Sequence, residues 1–295
     1  MKFSVAFEAE EPHLYFEPIR LARLGGLWSV QIYEHLPYSP AWPMVFHIAS
    51  TCDAIRLGPV TVPVFLYSPE QLSRYVRLLL KIATRGVVLG ISRGAFAETL
   101  GYKVDRSRER VVLFIRRLGE LLKDILAENR LVIYVGTSGP KLAYEAASIP
   151  YVNGIVVDSL WNEKYAEKMR KIIDESCIEA GRDPREVELV ARPYMVIDND
   201  IALAGEISKH ILKIVGKSKL LEEAGIADKK PGEFSSMEQF KRVYGKLIAC
   251  GDRGTLLEGS KALGRAGVNH IVFGIPRMRM ASRYVTEVVS LAASW

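Results

Sequence analysis

A closed barrel of eight strand–helix units, a (β/α)8 TIM barrel with an insertion between strands 7 and 8, is the fold this sequence predicts. Three observations point to it. Short apolar, β-branched runs recur eight times between longer amphipathic stretches, the alternation that builds a parallel sheet. Several runs (VVLGI, LVIYVG, GIVV, IVFGI) are apolar at nearly every position, as in strands covered on both faces. The 295 residues also match one α/β barrel domain spanning 1–295. A doubly wound open sheet gives a similar alternation and stays the alternative.

The expected strands are 2–8, 29–35, 55–62, 86–92, 131–137, 154–160, 188–197 and 270–275. Helices fall between them. Pro69–Ile82 opens with proline after Ser68, a capping arrangement. The stretch 106–128 is long and periodic, and 140–148 follows a glycine-rich turn. The segments 161–180 and 254–266 stop at Gly181 and Gly267, as glycine-terminated helices do. The stretch 198–253 is over-long for a connection. It reads as helical pieces at 202–220 and 236–248 around a polar linker at 227–234, inserted above the barrel as a lid.

Composition removes several function classes. The net charge of +6 comes from basic residues interleaved with acidic ones on helices, a solvated pattern that predicts no nucleic-acid partner and suits an anionic small molecule. No apolar run of about 18 residues occurs, so no membrane span is expected and the chain reads as cytoplasmic. Cys52, Cys177 and Cys250 are isolated; they read as thiols away from strand ends, and no metal site is expected. Only three glutamines and five asparagines occur, a sparseness seen in thermophiles.

In barrel enzymes the chemistry sits at the carboxyl ends of the strands. The second strand ends in Glu34-His35, and the third is followed by Pro59, Val60 and Thr61. The fourth ends in Ser92-Arg93-Gly94, and the fifth in Gly136-Thr137-Ser138-Gly139-Pro140-Lys141. Neighbouring glycine and hydroxyl turns before helix N-termini offer backbone donors to an anion such as phosphate. Each turn taken alone is also what any tight strand-to-helix connection favours.

The segments IRLGPVTVPVFLYSPEQLSRYV, GVVLGISRG and IYVGTSGPKLAYEAAS resemble the luciferase-like superfamily. The MKFxxxF opening and GPKxxxxA turn most resemble its coenzyme F420-dependent branch, of the methylenetetrahydromethanopterin reductase type. The likeness covers residues 1 to about 160 and returns at AGVNHIVFGIP. It implies hydride transfer between F420 and a small organic, pterin-like substrate, with flavin mononucleotide (FMN) monooxygenase chemistry as the alternative. It also implies a homodimer or larger assembly.

Carried over, the cofactor contacts are Pro59, Val60 and Thr61 (a bulge often containing a non-prolyl cis peptide), Ser92, Arg93 and Gly94, and Gly136, Thr137, Ser138 and Gly139. His35 lies near the redox ring as a proton donor, the role an imidazole fills near neutral pH. Glu8 is the nearest substitute for a carboxylate that some relatives carry at the position of Ala6, being on the same strand face. Three positions depart from the pattern: Ala6, Val62 in place of Asn, and Ala95 in place of an acid. They leave open a changed substrate, or a cofactor-binding barrel without catalysis.

Other residues have structural readings beside functional ones. His47 reads as a helical core residue, His210 as a helix-surface residue, and His270 as part of the barrel's stability face. His13 is a loop residue within reach of a substrate. Trp42, in the SPAWP loop, packs or flanks a flat ring, and Trp28 and Trp161 pack. Arg93 pairs with a phosphate or with a glutamate. A Schiff-base aldolase or a phosphate-sugar isomerase would also use phosphate loops, but the former needs a lysine at a strand end. The sixth strand has none.

Overall fold

In the computed structural model, residues 1–52, 55–97, 100–101, 103–197, 200–215, 219–226 and 234–295 are described. Eight parallel strands close on themselves: β1 (Lys2–Phe7), β2 (Ser29–Ile32), β3 (Arg56–Pro59), β4 (Val87–Ser92), β5 (Leu131–Gly136), β6 (Gly154–Asp158), β7 (Glu188–Arg192) and β8 (His270–Gly274). Closure is between β8 and β1, in register from Lys2 opposite His270 to Ala6 opposite Gly274. The barrel is therefore the right alternative and the open sheet is excluded.

Helices follow the strands and cover them. Pro69–Ile82 starts at Ser68 in a full capping box with Gln71, and turns Leu72, Val76, Leu79 and Leu80 inward. Burying such a stripe is what holds a surface helix on its sheet. The expected helix 106–128 breaks at buried Leu122 into Arg108–Leu121 and Lys123–Leu126. Two helices not predicted as elements, Phe16–Leu24 and Ala41–Thr51, complete the early units.

The run 188–197 is two strands, because Pro193 has no amide to continue the ladder. Its second part, Tyr194–Val196, pairs in parallel with Ile248–Cys250. The expected helix 236–248 thus ends early, at Tyr244, and its last residue begins a strand. Between β7 and that strand lie helices Ile201–Val215, Lys219–Ala224 and Met237–Tyr244. Residues 227–233 of the polar linker lie outside the described residues.

Inward positions of this barrel are unusually polar in its lower half. Bulky branched side chains normally fill such layers. Here Gln31 Nε2 donates to Ser29 Oγ, which donates to Ser4 Oγ at 2.8 Å. Ser4 Oγ meets His270 Nε2 at 2.8 Å, His270 Nδ1 lies 3.3 Å from Tyr134 Oη, and Tyr134 donates to Glu188 Oε2 at 2.6 Å. Lys2 ends the chain of contacts on Glu188. A buried network costs little only when each member is satisfied; this one links each neighbour to the next and leaves Gln31 Oε1 without a partner. Below it Lys2 and Arg56 each stack over the Trp28 ring, 4.6 Å from its centroid. Large inward rings fit because glycines face them. A Cβ on Gly274 would lie 2.6 Å from Tyr33 Oη, and one on Gly154 would lie 2.9 Å from the Tyr134 ring.

Candidate active site

At the carboxyl ends of the strands the barrel opens into a cleft of about 510 Å³. Its walls come from the turns after β3 to β6 and from the end of β2. Thr61 and Pro63 form one side; Ser92, Arg93, Gly94 and Ala95 form the next. Gly136, Thr137, Ser138, Gly139, Pro140 and Lys141 follow, then Asp158. His35 and Glu34 close one end. Thus His35, Thr61, Ser92, Arg93, Gly94 and Gly136 to Gly139, all singled out in the sequence, meet around one space. Pro59 and Val60 do not line it: Pro59 closes β3, and Val60 is fully buried beneath the floor. The peptide bond Val60–Thr61 is cis.

The turns are braced from within. Ser92 Oγ accepts from the Gly94 amide at 3.2 Å, and Thr137 Oγ1 accepts from the Gly139 amide at 2.9 Å. Gly94 adopts a φ of 81°, open to glycine and strained for other residues. A Cβ there would also strike Pro63 and Phe65 at 2.7 and 2.6 Å.

One end of the cleft is cationic. Arg93, Arg106 and Arg108 reach it from the loop after β4 and the start of the next helix. Arg93 is held below the usual guanidinium range by burial and then by Arg106 and Arg108. Its buried Nε has no hydrogen-bond partner, so the expected pairing with a glutamate is not made there. Arg108 pairs with Glu145. Arg106 and Arg108 were read in the sequence as a solvated helix face. Their place in the cleft depends on how the loop before them folds back, which no local pattern records.

The opposite end gathers ionisable groups. Glu8 follows β1, and His35 Nδ1 lies 3.7 Å from its Oε1. His210, expected on a helix surface, is instead turned inward from Ile201–Val215, with Nε2 4.0 Å from the same oxygen. The helix crosses the barrel mouth, so its inner face is covered. Burial depresses His210 to about 4, against the opposing pull of Glu8. Tyr194 Oη reaches Glu8 Oε1 at 3.4 Å. Aromatic rings hold the imidazoles: Tyr33 stacks on His35 at 4.9 Å and 16°, and Phe96 on His210 at 5.6 Å and 29°.

Glu34 plays a different part. Its carboxylate accepts from the Ala41 amide at 2.6 Å and from Tyr67 Oη at 2.8 Å, so it anchors the start of Ala41–Thr51. Burial raises its pKa, and those two bonds partly offset the rise. Asp158 pairs with fully buried Arg192, Nε to Oδ1 2.5 Å, and Arg192 Nη1 donates to the Val60 carbonyl at 3.0 Å.

Several expectations need correction. Trp42 is not in a loop; it sits in the helix Ala41–Thr51, packed on Tyr75 at 5.2 Å and remote from the cleft lining. Cys250 does end a short strand, but burial pushes its thiol up to about 11, which keeps it protonated and unreactive. His13 is exposed beside Glu11.

No protein-family model matches the chain. It is 23% identical over 316 residues to a 5,10-methylenetetrahydromethanopterin reductase of Archaeoglobus fulgidus, covering 94% of both chains. An F420-dependent glucose-6-phosphate dehydrogenase of Rhodococcus erythropolis is 22% identical over 318 residues, with 94% of this chain and 92% of that one covered. Among solved structures, the coenzyme F420-dependent tetrahydromethanopterin reductase of Methanopyrus kandleri superposes with a TM-score of 0.75 at 19% identity over 98% of each chain. A monooxygenase of Streptomyces bottropensis superposes at 0.67 and 16% identity, covering 100% of this chain and 99% of that one. The resemblance read from the sequence is thus shared by full-length relatives, and the structural likeness is one of fold.

Proposed function

We propose that this chain is an oxidoreductase that binds coenzyme F420 and transfers a hydride between this deazaflavin and a small organic substrate. One observation carries the reading: a single cleft joins His35 at one end to the Arg93, Arg106 and Arg108 guanidiniums at the other. A flat redox ring with an anionic tail would use both ends of such a cleft. The cleft volume falls among ligand sites of about 300–1,000 Å³. Relatives named for F420-dependent activity support the cofactor, and the reductase of Archaeoglobus fulgidus supports a pterin as the finer substrate reading.

The residues present fit such a cofactor. The unpartnered, buried Arg93 Nε lies among like charges, and an anion there would give it a partner and offset the repulsion. Lys141 and the turn Gly136–Gly139, ahead of the helix Pro140–Ala147, would hold the same charge. F420 when bound supplies the hydride chemistry; the protein orients and shields it. His35 Nδ1 faces Glu8, which leaves Nε2 to hold or move a proton at the ring. Tyr33, Phe96 and Tyr194 surround the imidazoles and keep water from that end.

The second reading, an FMN monooxygenase, is favoured by the Gly136–Gly139 turn, which suits a terminal phosphate. Fluorescence titration of the purified protein with F420 and with FMN distinguishes them. Selective micromolar F420 binding is expected; selective FMN binding would move the protein to the second reading, and binding of neither would remove both.

A further inference from the structure

We infer that Glu8, His35 and His210 form a binding site for one divalent transition-metal ion of the zinc class. Their facing atoms, one carboxylate oxygen and two imidazole nitrogens, all lie within 4.8 Å of one another. Glu8 Oε2, His35 Nδ1 and His210 Nε2 are each buried without a hydrogen-bond partner. The His35 side chain is only 8% exposed. Leaving a buried polar atom unsatisfied costs about 1–3 kcal/mol, and here the two unpartnered imidazole nitrogens both face Glu8 Oε1, with Oε2 of the same carboxylate also unpartnered. The set draws its members from the segments after β1 and β2 and from the helix Ile201–Val215, so chain proximity does not explain it.

The chemistry of the three groups selects the ion. Two neutral imidazoles and one carboxylate are the protein ligands of open, three-ligand zinc sites, and oxygen-only cations such as magnesium or calcium would not choose them. Zinc–ligand bonds of about 2.1 Å put tetrahedral neighbours roughly 3.4 Å apart. The observed 3.7 and 4.0 Å from Glu8 Oε1 require only a small inward swing of side chains. Their rings are already stacked on Tyr33 and Phe96. A fourth position remains for water or a substrate oxygen. Because His35 would bind through Nδ1, its Nε2 stays available to the cleft. The ion would also tie the helix Ile201–Val215 to the strand ends.

The test uses the full-length protein, treated with EDTA and dialysed, then titrated with zinc chloride by calorimetry and with cobalt(II) by visible absorption. We expect one equivalent per chain and the intense cobalt bands of a four-coordinate site. Glu8→Gln and His210→Gln should each weaken binding by about a hundredfold or more, beyond the loss expected from groups that only orient a ligand. His13→Ala should leave it unchanged. Near-ultraviolet circular dichroism of each variant establishes that it is folded. Absence of stoichiometric binding by the parent protein would overturn the site, as would binding that survives in the folded Glu8→Gln and His210→Gln variants. F420 titration of the metal-free protein is a separate readout, so failure of the cofactor reading is told apart from failure of the metal site.

Discussion

Arg192 and Asp158 form an ion pair across adjacent strands, 2.5 Å from Nε to Oδ1, with the arginine side chain 1% exposed. The same guanidinium donates to the Val60 carbonyl and lies 5.0 Å from the Tyr33 ring centroid. One buried cation therefore links the floor of the cleft to three strands. Removing its counter-charge leaves that cation without neutralisation inside the barrel, a loss of roughly 3–5 kcal/mol when fully desolvated. Asp158 is partly solvated, so Asp158→Asn should cost about 3 kcal/mol. The double change Asp158→Leu with Arg192→Met should cost less than the single one. Urea unfolding of the three proteins checks the order; a single variant as stable as the parent would contradict it.

Gly274 is confined by Tyr33. Gly274→Ala brings a methyl 2.6 Å from the Tyr33 hydroxyl and 3.1 Å from Tyr194. Overpacking of this kind costs about 1–3 kcal/mol. Removing the hydroxyl in Tyr33→Phe should restore part of that loss, because the two positions are in contact. A melting-temperature cycle measures the coupling, and strictly additive effects would show that the methyl is accommodated elsewhere.

Arg93 and His35 serve opposite ends of the cleft, and their variants should separate. If the proposed cofactor binds as argued above, Arg93→Ala removes charge-assisted hydrogen bonds to its anion, each contributing about 1.5–3 kcal/mol. It should weaken F420 binding between roughly tenfold and a hundredfold, with the loss shrinking at high salt. His35→Ala should leave affinity within a few fold while lowering the hydride-transfer rate by about 10²–10⁴. Single-turnover rates beside binding titrations read this directly. Equal effects on both quantities from either variant would refute the division.

Acid should loosen the barrel through its buried imidazoles. His270 is fully buried, and burial, then Lys2 and the N-terminal amine, hold its imidazole well below the usual value. Glu188 and Tyr134 also face it, at its Nδ1. The unfolded imidazole takes a proton below about pH 6.5, while the folded one stays neutral. Unfolding therefore consumes a proton in that window, and stability falls with pH by up to about 1.4 kcal/mol per unit for one group. His210, held at about 4, adds a loss of the same sign between 6.5 and 4. His270→Gln should keep the His210 part alone and give a shallower slope of melting temperature between pH 7.5 and 5. A slope unchanged by the substitution would place the dependence elsewhere.

The strands were legible because burial on both faces writes itself as continuous apolar sequence, and all eight begin within one residue of their expected starts. The turns that ring the cleft were legible through their glycines and hydroxyls. His210 was not, since a histidine within IALAGEISKHILKIV reads alike whether its helix faces solvent or the strand ends. Nor was Ile248–Cys250, where Tyr244, Leu247 and Ile248 continue a helical spacing until Gly245 and Gly251 are weighed. The polar lower layers escaped notice because Ser4, Ser29 and Gln31 look like solvent positions until the barrel closes around them.

Beneath the cleft the stacked Trp28, Lys2 and Arg56 and the hydroxyl–imidazole network fill the lower barrel. The molecule is thus a vessel with a stopper, and all traffic uses the rim. A ring cofactor lying across the cleft and a substrate seated against it would share that single doorway. Whichever lies deeper must arrive first and depart last, so the order of binding would be set by architecture before any difference in affinity acts.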